Sequence, residues 1–161
     1  MTTPQPNATT PIPRPGDPTD IGPIVSLPIG RILGATIAGC LVGGAFGWLM
    51  LLLLSPDHQV IAAYGAAGAI VAHLVVVVFE RPWRKQRLGK WAFTILHGSV
   101  ISLMAALASF GVLYSATRLS VAPLGLTTAG AWFIGNLAKV LAYGRFARAA
   151  DAVPAGPTGV A

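Results

Sequence analysis

Residues 31–54 read RILGATIAGCLVGGAFGWLMLLLL, and after Arg31 no charge appears until Asp57. That is 25 uncharged residues in a row. A helix needs about 20 apolar residues to cross roughly 30 Å of hydrocarbon. The pattern recurs three times: 22 uncharged residues between Asp57 and Glu80, 27 between Lys90 and Arg118, and 20 between Arg118 and Lys139. Four membrane spans are predicted, near 31–54, 59–79, 91–115 and 122–144. Strands are excluded, because membrane strands alternate polar and apolar with period two, and neither Trp48–Leu54 nor Leu74–Phe79 does. A spanning segment must satisfy its own backbone, which leaves the helix.

Composition agrees. Of 161 residues, 54% are hydrophobic and only 10% charged, against roughly 25% charged in a soluble domain. The mean hydropathy is +0.69. A soluble chain of this size leaves too much surface exposed to hide so much apolar area. A soluble enzyme and a disordered chain are both excluded. The fold class is an all-α integral membrane protein, an up-down bundle of four transmembrane helices.

Breakers stand between the spans: Ser55-Pro56-Asp57, Arg81-Pro82 and Ala122-Pro123. Proline lacks an N–H and turns the preceding residue away from helix. Residues 1–28 hold eight of the 13 prolines, which predicts an extended or disordered tail. This tail is not read as a signal peptide, since no basic start leads directly into a short apolar run. Residues 29–148 form the transmembrane domain, and 149–161 a flexible C-terminal tail rich in Ala, Gly and Pro.

Basic residues set the orientation. Arg14, Arg31, Arg81, Arg84, Lys85, Arg87, Lys90, Lys139, Arg145 and Arg148 fall on one side of a four-span chain, and only Arg118 on the other. Positive charge marks the cytoplasmic side. Both termini are therefore expected inside, in a bacterial-type inner (cytoplasmic) membrane, multi-pass. Trp83 and Trp91 are expected at the inner interface, where amphipathic rings collect. The loop residues Arg81, Arg84, Lys85, Arg87 and Lys90 suit anionic lipid headgroups, at about 1 kcal/mol each, or an acidic partner. One short anchored loop offers no nucleic-acid recognition fold.

Ala35, Gly39, Gly43 and Gly47 recur at spacing four, a double G-x-x-x-G on one helix face. Glycine lets a second backbone approach closely, and lipid supplies no hydrophobic drive between helices. The face serves either packing within the bundle, the preferred reading, or self-association.

Polar residues within spans are the usual functional clue. No carboxylate is expected deep in any span. This sets the chain apart from the small multidrug exporters, four-helix proteins that depend on one. Instead Cys40, His73, His97 and Asn136 form a layer about 10–14 Å in from the cytoplasmic boundary, at 1.5 Å per residue. His73 and His97 lie on consecutive antiparallel helices and are expected to face each other at one depth. Opposed histidines suit bis-imidazole ligation of haem or a related tetrapyrrole. Ala69-Ile70-Val71-Ala72-His73, with Glu80-Arg81 following, resembles over these few residues the pigment-ligating helix of bacterial light-harvesting polypeptides. That resemblance implies a tetrapyrrole on His73. The preferred reading is plainer: each ring makes a hydrogen bond across the bundle, to Asn136, a serine or a carbonyl, with no cofactor. Small faces beside both rings favour close helix contact over a bulky macrocycle.

No metal site is expected, because Asp57-His58 lacks a third ligand. One cysteine makes no disulfide. His97-Gly98-Ser99 points its side chains apart on a helix, and no acid orients the imidazole. The expected function is therefore a non-catalytic accessory, assembly or structural subunit that contacts partner subunits in a larger membrane complex. A self-associating transport or pore module and a tetrapyrrole-binding subunit are the alternatives.

Overall fold

The computed structural model describes residues 22–54 and 59–152. Four helices dominate: α1 (Ile29–Leu54), α2 (Gln59–Glu80), α3 (Leu88–Thr117) and α4 (Val121–Asp151). Strand β1 (Ile24–Val25) precedes α1, and β2 (Gln86–Arg87) precedes α3. They pair antiparallel, with Ile24 opposite Arg87 and Val25 opposite Gln86. The last stretch of the predicted N-terminal tail is thus held as a ribbon against the α2–α3 loop. Residues 1–21 and 153–161 lie outside the described residues, with most of both predicted tails. So does the Ser55–His58 connection.

Chain chemistry explains the helix ends. Arg81 adopts φ 45° and Arg118 φ 52°, the left-handed conformation that stops a helix. Their N–H groups donate to Val77 O at 3.2 Å and Tyr114 O at 2.9 Å. Pro82 prevents α2 from resuming. Pro123 was expected ahead of the fourth helix, but it lies inside the first turn of α4. There its missing N–H has no intrahelical acceptor to lose.

Helices α1, α2 and α3 are long and apolar enough to cross a membrane. The fourth is long but not among the apolar ones, since it carries Asn136, Lys139, Arg145, Arg148 and Asp151. Helix α4 packs against each of the other three, as does α2, whereas α1 and α3 barely meet. Helices α2 and α4 therefore form the short diagonal of the bundle.

Small side chains make this closeness possible. A Cβ added at Gly39 would stand 2.8 Å from Ala138 Cβ, one at Gly43 2.7 Å from Ala131 Cα, and one at Gly47 2.9 Å from Thr127 Cγ2. All three neighbours belong to α4. The glycine row lies against α4 within the same chain. Gly44, on another face of α1, meets Ala66 of α2. The middle of the core is made of Cys40, Ala66, Ala69 and Ala131. The ribbon end is larger and more aromatic, built from Leu27, Ile32, Trp91 and Ile95.

Candidate functional site

The ribbon buries what would otherwise be an open helix end. Leu88 N donates to Pro23 O at 3.1 Å, and Tyr143 Oη to Leu88 O at 2.9 Å. Trp91, expected at the interface, is fully buried, and its indole N–H donates to Val25 O at 3.0 Å. The β1 carbonyl supplies the partner a buried indole needs. Trp83 alone of that pair stays exposed.

Beneath this cap lies the feature that the charge pattern concealed. Glu80, the last residue of α2, is 8% exposed, and Lys139 of α4 is 5% exposed. Lys139 Nζ donates to Glu80 Oε1, forming a buried ion pair across the short diagonal. Glu80 stands at the end of its helix, where the sequence put it, but it is buried against protein, which the sequence did not predict. Glu80 read as a flank of the basic loop, but Leu27 and Pro82 line the cavity beside it. Gly98 of α3 provides the room, because a Cβ there would fall on the Glu80 carboxylate. Desolvating two charges is offset only by good mutual geometry, and an unpaired survivor is strongly unfavourable.

A cavity of about 20 Å³ adjoins the pair, lined in part by Ile32, Thr36, His73, Glu80 and Lys139. That is room for roughly one water molecule. His73 is 3% exposed. Its Nε2 lies 3.5 Å from Trp132 O, and its ring is parallel to the Trp132 ring with centroids 6.5 Å apart. Its Nδ1 is buried without a partner. The Thr36 hydroxyl donates to Ile32 O at 2.8 Å.

The predicted polar layer is divided by the structure. Cys40 is buried with its Sγ against Gly135, close beside His73. His97 is exposed instead. Its ring nitrogen Nδ1 is 3.0 Å from Phe93 O, on its own helix, and the ring stacks on Phe93. The two histidines occupy different faces and do not oppose each other. Asn136 also goes elsewhere: the Ser99 hydroxyl is 2.9 Å from Asn136 Oδ1 and from Ile95 O, tying α3 to α4. One turn along, Trp132 Nε1 donates to Ser102 Oγ at 3.0 Å. The geometry offers no bis-imidazole pair, and the cavity beside His73, at about 20 Å³, is far below the several hundred Å³ of a cofactor pocket. Among the described residues no cluster of three metal-ligating side chains occurs.

Arg81, Arg84, Lys85, Arg87 and Lys90 are all exposed around the ribbon. One signal for the buried pair was present in the sequence. Glu80 is the chain's one glutamate and the sole acid between Asp57 and Asp151.

Comparison with protein families, curated proteins and solved structures yields no match for this chain.

Proposed function

We propose that this chain is a four-span protein of a cytoplasmic membrane, with both termini and the basic loop inside. We propose that it serves as a non-catalytic accessory, assembly or structural subunit of a larger membrane complex. The ten-to-one split of basic residues supports the orientation. Helix α4 contributes Lys139 to the ion pair with α2 and covers the glycine face of α1, so it belongs inside the bundle beside three apolar helices.

One observation carries the functional reading. The small-residue row that a self-assembled pore would use is already occupied by α4 of the same chain. The interior is closed by near backbone-to-backbone contact, and the free surface is an apolar belt plus a basic rim. Such a molecule acts through what it touches. Affinity purification from the native membrane in mild detergent tests this. A stable complex with different membrane subunits is expected, whereas a homo-oligomer without other chains would favour the pore reading and overturn this one.

A further inference from the structure

Along the outer side of the α2–α3 pair a groove runs from the ribbon end into the apolar belt. Its deep part, about 310 Å³, lies between Phe79 of α2 and Phe93, His97 and Ile101 of α3. Past Glu80, Lys90 and Thr94 it opens into a wider mouth of about 440 Å³, whose walls include Arg81 and Arg84.

Polarity changes sharply along this path. The deep part is aromatic and aliphatic, and the His97 Nδ1 is already engaged by Phe93 O. The mouth holds three cations, Arg81, Arg84 and Lys90, with no side-chain partner among the described residues. The acid there, Glu80, is held from behind by Lys139. From Lys90 to Ile101 α3 rises about 16 Å, close to the half-thickness of a hydrocarbon core of roughly 30 Å. A cationic mouth at the membrane surface above an apolar slot one leaflet deep complements an anionic head joined to an acyl chain.

We infer that the α2–α3 groove binds one anionic phospholipid. The phosphate sits at Arg84 and Lys90, and an acyl chain lies along Phe79, Phe93 and Ile101. This goes beyond general attraction of a basic loop, because Lys85 belongs to the loop but not to the groove. It requires α2 and α3 to cross the membrane, and it is independent of any partner subunit.

The test uses full-length protein in nanodiscs holding phosphatidylglycerol and phosphatidylcholine in equal amounts, with lipid retention read by native mass spectrometry. One phosphatidylglycerol is expected to be retained in preference to phosphatidylcholine. Arg84→Ala combined with Lys90→Ala should lower retention about 30-fold, at the usual strength of two surface cations. Lys85→Ala combined with Arg31→Ala removes equal charge outside the groove and should leave retention unchanged. Ile101→Trp fills the deep part and should expel the lipid while every cation stays. A photo-crosslinker at Ile101 in native membranes should gain the mass of one phospholipid, which holds even where the double variant fails to fold. Equal losses in the two charge pairs, equal retention of phosphatidylcholine, equal binding of free glycerol phosphate, or crosslinking to a protein or a second copy would each overturn the proposal.

Discussion

The Glu80–Lys139 pair illustrates how a charge can be hidden in plain sequence. Glu80 sits beside five basic residues in the text, yet its partner lies 59 positions away on α4. Replacing either member alone, as Glu80→Gln or Lys139→Met, strands the other and should cost about 3–5 kcal/mol. The double variant Glu80→Leu with Lys139→Met should recover most of that loss, since two apolar groups often replace a buried pair without penalty. Thermal unfolding in detergent reads all three, and simply additive losses would refute the coupling. Gly98→Ala should perturb the same pair from α3 by displacing the carboxylate. Gly111→Ala, where an added Cβ meets nothing within 4 Å, should be neutral or slightly stabilising, as helix propensity dictates. Little of this was legible beforehand beyond the isolation of Glu80 as the one glutamate. Burial of Glu80 depends on Leu27, 53 residues earlier, and on a missing side chain 18 residues later, and neither is a local property.

At the scale of elements the sequence was far more informative. Charge-free intervals located all four helices, because each is interrupted where a charge or proline must leave the apolar region. The largest discrepancy is at the end of α4, which continues past the predicted span as far as Asp151. That end runs on through Arg145, Arg148 and Asp151, polar positions that hydropathy discounts but a partly buried helix tolerates. The glycine row was legible as a packing face, but its partner was not. Gly43→Leu should drive a bulky side chain into the Ala131 backbone and cost 1–3 kcal/mol or more by overpacking, which a melting shift would report. Leu52→Ile, on an exposed position, should melt like the parent. Equal behaviour of the two would show that the row faces lipid. The histidine layer failed as a unit because equal depth does not fix azimuth: His73 turns toward α4 and His97 outward.

For the whole molecule, the proposed orientation is open to direct labelling. Cys40 is the chain's one cysteine and is fully buried, so its background reactivity should be low. A cysteine introduced at Lys85 should be shielded from an impermeant reagent outside intact cells, and one at Asp57 should react. The opposite pattern would reverse the assignment of ten basic residues to the inside.

The contact between α1 and α4 also has a history in time. Of these four helices α1 leaves the ribosome before α4, so until α4 emerges the Gly39–Gly43–Gly47 stripe lacks its mate. A nascent chain stalled before α4 carries a bare small-residue stripe of the kind that pairs with copies of itself. Truncation after Arg118 should therefore turn a chain with a covered stripe into one that dimerises in a membrane two-hybrid reporter, and Gly43→Leu in the truncated chain should abolish the signal. Completion of the last helix is then the event that retires a sticky surface.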